Sequence, residues 1–238
     1  MIGLIITPIV SLSVWSTVAE TNGGIIDGFT REALAAYFIT IMVVNQLTYT
    51  WVMWEYDNSI RQGLLSPRLL RPFHPIHQDI AENIAYKLLT SFVMAPITIG
   101  LILAFQPDFS LNTQQIVLFL PALVMGFLIQ FLFGWTVAIM SFWTNRVSAV
   151  NRIYFFGKLF LAGQLAPLSL LPPALETAAS YTPYRWMIAF PSELLLGWET
   201  GAMVWQGLLI QLFWVIVLVV VSQLIWRAGI KKYSAVGA

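Results

Sequence analysis

The sequence predicts an all-α integral membrane protein with six transmembrane helices and a re-entrant outer hairpin between spans five and six. Three observations predict it. Hydrophobic residues make up 58% of the 238 residues and charged residues only 10%, with a mean hydropathy of +0.78. A soluble domain carries about 25% charged residues, so lipid must solvate much of this chain. Six stretches read as crossings, judged against the roughly 20 apolar residues that span the hydrocarbon core. Lysine and arginine also concentrate on alternate connections, the pattern that fixes orientation in a protein with several spans.

The spans follow in order. Residues 2–19 form the first; no positive segment precedes this apolar run, as one would in a cleaved signal peptide, and its first charge is Glu20. Residues 33–54 form the second and are studded with polar and aromatic groups. Residues 85–105 form the third. Residues 116–143 form the fourth, long enough to tilt or protrude. The fifth begins near Ile153 and loses helical character around Pro167, and residues 205–226 form the sixth. The connections alternate: 20–31 is short, Gly-rich and mostly acidic; 57–84 is long and basic; 106–115 is polar; 145–152 is short and basic; the tail 227–238 is basic.

Placing both termini and the two basic loops in the cytoplasm puts ten of the 12 Lys and Arg residues inside or at that interface, including Arg146, Lys87 and Lys158. Only Arg31 and Arg185 lie outside, as the positive-inside rule requires. Trp15, Trp54, Trp143, Trp205 and Trp226 fall where interfacial aromatic belts form. Segment 171–201 is different in kind. Pro172, Pro173, Pro183 and Pro191 interrupt any single spanning helix, yet the segment stays apolar through Leu175, Ile188 and Phe190. It reads as two short helices that dip into the outer leaflet and return; the alternative is an amphipathic helix lying on the surface.

No engine is visible in the motifs. Gly157-Lys158 runs into Leu159 with Arg at position 152, so a phosphate-cradling P-loop fails. The absence of cysteine excludes disulfides, thiolate zinc sites and cysteine-ligated iron–sulfur clusters, and a net charge of +1 offers no field for nucleic acid. His74 and His77, near Asp79 and Glu82, make a metal site conceivable, but His74 precedes Pro75, which biases it away from helix; polar residues of a docking loop are the simpler reading. The spans hold essentially no ionisable group away from their ends, which speaks against a proton-coupled carrier.

Two stretches remain. Asn45, Gln46, Thr48, Tyr49, Thr50 and Trp51 crowd the inner half of the second span, with Gln130 and Gln164 in the fourth and fifth; such groups either bond between helices or line a path. In the basic loop, Ile76, Ile80 and Ile84 with Asp79 and Glu82 form the pattern of a short amphipathic helix running into the third span. Such a helix can lie on lipid or insert into a partner's groove, and a solvated linker is the plain alternative.

That loop carries a resemblance. Six spans, both ends inside, a cytoplasmic helix between spans two and three and a broken outer segment before span six together resemble the permeases of type-2 ABC exporters. Leu69-Leu70-Arg71-Pro72 and the terminal Gly229-Ile230-Lys231-Lys232-Tyr233-Ser234-Ala235-Val236-Gly237 are similar to a bacterial branch of that family. The likeness covers nearly the whole chain, so residues 1–238 are expected to form a single transmembrane permease domain. The family has a cytoplasmic interfacial helix before span one, whereas the sequence here starts at the span.

The resemblance implies a dimer of permeases, identical or related, in a bacterial inner membrane with both termini cytoplasmic. It implies a separate ATP-binding cassette ATPase that binds ATP and Mg, with no cofactor, metal or catalytic residue on this chain. Coupling to the ATPase would fall on His74, Pro75, Ile76, His77, Asp79, Ile80, Glu82 and Ile84. The cargo path would run along spans two and five, with Asn45, Gln46, Tyr49, Trp51 and Gln164 as lining. Pro172, Pro173, Tyr184, Arg185 and Trp186 of segment 171–201 would gate the outer exit. An uncharged, aromatic path suits an amphipathic cargo: a lipid, a drug or a glycan-like molecule. The rival functions are a membrane-embedded lipid-modifying enzyme, with His74 as the suspect, and a non-transporting membrane scaffold.

Overall fold

The computed structural model describes residues 2–21, 23–109, 111–144 and 147–233; Arg146 of the basic connection and residues 234–238 of the tail lie outside the described residues. Helix α1 (Ile2–Thr21) packs along α2 (Arg31–Thr48). Between them a small hairpin pairs β1 (Ile25–Ile26) with β2 (Phe29–Thr30), turning on Asp27 and Gly28 at φ 44° and 86°, a region where glycine is unstrained and aspartate is tolerated. This hairpin is the one departure from all-α structure among the described residues. Thr30 ends it and starts α2: its hydroxyl accepts the Ala33 N–H, satisfying one of the donors that a helix start leaves open.

Helices α3 (Val52–Arg61) and α4 (Leu65–Leu69) lead to α5 (Pro75–Phe105), which opens with proline at its first position, where no N–H is needed. Helix α6 (Thr113–Ile139) starts on a reciprocal cap between Asn112 and Gln115 and ends in a 3-10 turn, Met140–Phe142. Helix α7 (Val147–Leu161) is followed by a 3-10 turn (Leu168–Leu170) and three short helices, α8 (Pro173–Ser180), α9 (Pro183–Met187) and α10 (Ala189–Leu195); α11 (Ala202–Ile230) closes the chain.

Remote contacts define two ends. At one, Ser66 hydrogen-bonds Tyr233 at 2.7 Å and Phe142 meets the Tyr233 ring. At the other, Phe29 and Tyr37 meet Trp198, and the Asp108 N–H donates to the Glu32 carbonyl. Among the described residues four helical stretches are long and apolar enough to cross a membrane: Arg31–Ile60, Pro75–Phe105, Thr113–Phe142 and Ala202–Ile230.

The side chains are distributed inside out. Leu88, Leu89, Phe92 and Leu103 of α5 and Leu209, Phe213 and Leu224 of α11 face outward, while Asn83, Lys87, Thr90, Gln130, Asn151, Lys158 and Gln211 are buried. In water this arrangement would waste the hydrophobic effect; in lipid it is the favourable one, because hydrocarbon solvates the apolar faces and the polar groups find partners inside. The structure is thus that of an all-α integral membrane protein.

Four expectations are corrected. The second span is not one helix over 33–54: it breaks at Tyr49–Trp51, where Tyr49 turns extended (φ −53°, ψ 141°) and the Lys87 ammonium of α5 takes the Tyr49 carbonyl. The helix expected from Ile153 to about Pro167 starts earlier and stops sooner, ending at Leu161, because Gly163 turns the chain at φ 74° well before Pro167. Segment 171–201 contains three short helices, not two, and the connection between α3 and α5 is shorter than 57–84, since α3 absorbs its first residues and α5 its last.

Candidate functional site

The break in the second span organises a polar seam. The Tyr49 N–H still bonds the Asn45 carbonyl at 2.8 Å, but the Tyr49 carbonyl is taken by the Lys87 ammonium at 2.5 Å. Lys87 also donates to Asn83 Oδ1 at 2.8 Å, and Asn83 Nδ2 donates to Thr50 Oγ1 at 3.3 Å. Gln46 donates to Thr90, and Thr48 donates to Gln130 Oε1 at 3.1 Å. Backbone freed at membrane depth is tolerated where protein groups satisfy it, and here α5 supplies them.

Two helices present polar stripes to this break. On α5, Asp79, Asn83, Lys87 and Thr90 recur at intervals of four and three and are all buried. On α7, Asn151, Tyr154 and Lys158 do the same. The Lys158 ammonium lies 5.1 Å from the centre of the Tyr49 ring, a cation–π distance, and Trp51 meets Tyr86 edge-on at 4.2 Å. Several buried atoms have no hydrogen-bond partner: Asn45 Oδ1, Gln46 Oε1, Gln130 Nε2, Tyr154 Oη and both amide atoms of Asn151. Buried polar groups are normally paired, with protein or with ordered water.

Of the five residues expected along the path, the structure brings four together. Asn45, Gln46, Tyr49 and Trp51 meet at the break, whereas Gln164 lies apart at the turn after α7, next to Gly163, whose carbonyl accepts the Tyr37 hydroxyl at 2.9 Å. Sequence reading took Lys87 and Lys158 for interfacial charges near span ends. The structure buries both, at 8% and 2% exposure, so the seam does not lack charge. The signal was present as polar residues at helical spacing in apolar helices: Asp79-Asn83-Lys87-Thr90 and Asn151-Tyr154-Lys158.

The expected coupling residues divide by face. Pro75 and Asp79 are buried, and Ile76 and Ile80 pack on the core. His77, Glu82 and Ile84 are exposed. Asp79 pairs with Arg68 and accepts the Tyr56 hydroxyl at 2.9 Å and the Trp135 indole N–H at 3.1 Å. Burial disfavours the Arg68 cation, but the hydrogen bond and charge of Asp79 prevail and raise its pKa. His74 caps α5: its Nδ1 accepts the Ile76 N–H at 3.3 Å, and its ring lies 4.7 Å from that of Trp226. Burial, then the neighbouring His77, lowers the His74 pKa and favours the neutral ring that this cap needs. A cleft of about 530 Å³ opens beside it, lined by His77, Trp135, Gln223, Trp226 and Arg227. Among the described residues, no group of three or more acidic, His or Cys side chains could hold a metal ion.

The expected gate residues are tied down. One guanidinium nitrogen of Arg185 bonds both Glu193 and Glu199 at 2.9 Å. The Trp186 indole donates to the Ser180 carbonyl at 3.1 Å, and Gln211 donates to the carbonyls of Trp186 and Ala122. Tyr184 lies across Gly157, so close that a Cβ there would meet its ring at 2.7 Å. Pro172 and Pro173 are exposed at the start of α8. A pocket of about 340 Å³, lined by Gly28, Phe29, Arg185, Glu193, Trp198 and Glu199, opens at this end.

Fold and seam together define an integral membrane protein whose polar interior is enclosed by lipid-facing apolar helices. Comparison with known families is decisive on the class: the family described as ABC-2 family transporter protein matches residues 5–237. The chain belongs to that family and is a membrane permease of an ABC transporter. No curated protein and no solved structure matches it.

Proposed function

We propose that the chain is the permease subunit of an ATP-driven exporter, moving an amphipathic cargo out of the cytoplasm with ATP hydrolysed on a separate ATP-binding cassette subunit. Membership of the ABC-2 family carries this reading. ATP and Mg²⁺ bind the partner, and this chain supplies the path. Six crossings are formed by α1, the broken pair α2–α3, α5, α6, α7 with the turn that follows it, and α11. Segment 171–201 is the re-entrant element and outer gate. Both termini and the 62–74 connection lie on the cytoplasmic side of a bacterial inner membrane, in keeping with the basic residues there. Two permeases, identical or related, enclose the path.

The ATPase docks on the exposed face of the first turns of α5, at His77, Glu82 and Ile84. Support comes from what lies behind that face: Asp79 fixes it to Arg68, Tyr56 and Trp135, so α3, α4, α5 and α6 receive a push there as one body. Closure of two ATPases then moves these bodies together and reshapes the seam, a rigid-body switch of the kind packed helices allow.

Co-purification in mild detergent tests this. The intact chain is expected to retain an ATP-binding cassette ATPase, and the pair Glu82→Arg with Ile84→Asp, which changes only exposed positions, is expected to lose it. If a monodisperse wild-type preparation captures no ATPase, the exporter reading fails.

A further inference from the structure

We infer that the seam recognises an anion: a phosphate or carboxylate group on the cargo binds between Lys87 and Lys158, at the break in the second span. This rests on the permease reading and names the chemical class that it left open.

The two cations lie at one level. Lys87 is the thirteenth residue of α5 and Lys158 the twelfth of α7, and both helices start at the end where the Trp226 ring meets His74 and Phe142. At 1.5 Å per residue they sit roughly 18 Å and 16 Å in. Both converge on Tyr49, Lys87 on its carbonyl and Lys158 over its ring. Among the described residues neither meets a carboxylate. The ion pairs among the described residues lie elsewhere, as Arg31–Glu20, Arg68–Asp79 and Arg185 with Glu193 and Glu199. An ionisable side chain inside a membrane protein is expensive, and it persists where it serves a pathway or a ligand.

The surroundings select the sign of that ligand. Asn151 is 1% exposed, on the same face of α7 as Lys158, and neither atom of its amide has a partner. Tyr154 Oη, between them on that face, and Gln130 Nε2 are also unpaired. Two ammonium groups, two amide N–H₂ groups and a phenol make a site dominated by donors, complementary to anionic oxygen and repulsive to a cation. Asn151 Oδ1 is an unpaired acceptor on α7; the others, Asn45 Oδ1 and Gln46 Oε1, sit on α2 before the break and suit hydroxyls of the same molecule. Beyond Gln46 an apolar groove of about 310 Å³ runs between α2 and α5, lined by Val43, Leu47, Met94 and Ala95. It offers an acyl chain a seat one turn from Lys87.

The test uses the full chain in nanodiscs of phosphatidylcholine, titrated with fluorescent short-chain phosphatidate and with the matching short-chain phosphatidylcholine. Phosphatidate is expected to bind at least about tenfold more tightly. Lys87→Met and Lys158→Met are each expected to weaken it about ten- to a hundredfold, the range of a charge-assisted hydrogen bond, while Lys158→Arg retains most of the affinity. Competition by inorganic phosphate separates the sources: displacement shows that the anion alone suffices, and its failure shows that the acyl chain is also read. Equal affinity of the wild type for the two lipids overturns the inference, as do methionine variants that bind like wild type. If those variants fail to fold, the comparison of lipids on the wild type decides. Capture of an ATPase without preference for phosphatidate refutes the anion site and leaves the permease reading standing; lysine-dependent binding without an ATPase does the reverse.

Discussion

Arg68 and Asp79 form an ion pair that closes the 62–74 connection onto the first turn of α5, with the Asp79 side chain 1% exposed. The same carboxylate takes hydrogen bonds from Tyr56 and Trp135, so one acid joins α3, α4, α5 and α6. Removing one partner of a buried pair costs about 3–5 kcal/mol, because the other charge stays behind. Asp79→Ala is therefore expected to lower the apparent Tm in mild detergent markedly. The double variant Asp79→Leu with Arg68→Met recovers much of the loss. Equal melting of wild type and Asp79→Ala would refute this anchoring role.

Gly126 and Gly100 make an opposed pair on neighbouring helices. A Cβ at Gly126 would stand 2.6 Å from the Met187 carbonyl oxygen, a backbone atom that cannot swing away, whereas nothing lies within 4 Å of one at Gly100. Gly126→Ala is expected to destabilise by about 1–3 kcal/mol as α6 and α9 are forced apart. Gly100→Ala is expected to be neutral, or to stabilise by up to about 1 kcal/mol through helix propensity. Thermal melts of the two variants side by side check the contrast.

His74 predicts an acid-sensitive end. Its pKa lies below the usual imidazole value because of burial and His77, and Nδ1 must stay unprotonated to accept the Ile76 N–H; Asp79 is the one nearby group pulling the other way. The unfolded chain then binds a proton more readily than the folded one. Stability is full above the unfolded pKa, about 6.5, and falls as pH drops through the lowered folded value. His74→Asn keeps an acceptor at the cap without the titration. Melting curves from pH 8 to pH 5 are expected to show a steeper decline for wild type than for this variant.

The turn that ends α7 depends on Tyr37, whose hydroxyl donates to the Gly163 carbonyl at 2.9 Å in a fully buried setting. Tyr37→Phe leaves that carbonyl without its partner, at a cost of about 1–3 kcal/mol. The expected result is a lower Tm together with faster limited proteolysis within 162–182. Unchanged cleavage would show that packing alone holds the turn.

Much of the fold was legible because lipid demands long apolar runs. Helices α5 and α11 contain their expected spans, while α6 starts before its expected span and stops short of 143; at the N-termini of α5 and α6, the caps His74 and Asn112 add turns that hydropathy does not register. The break at Tyr49–Trp51 was hidden because none of its residues is a helix breaker; Lys87 and Asn83, more than thirty residues on, hold it open. Lys87 and Lys158 were misplaced for a related reason. A lysine near the end of an apolar run can snorkel to the interface or turn inward, and only the neighbouring helices decide which. The polar cluster in the second span was legible as a cluster, but its partners on α7 became visible only with the fold.

The interruption at Tyr49–Trp51 has a mechanical consequence. It divides one helical stretch into two shafts that share α6 as a footing, with α2 also bedded on α1 and α5. A shaft in two pieces does not carry torque along its length. A displacement of α3 therefore reaches α2 sideways, through their common packing on α6 and through the clasp that Asn83 and Lys87 make on the joint. The joint thus links the two pieces mechanically where the helix itself does not.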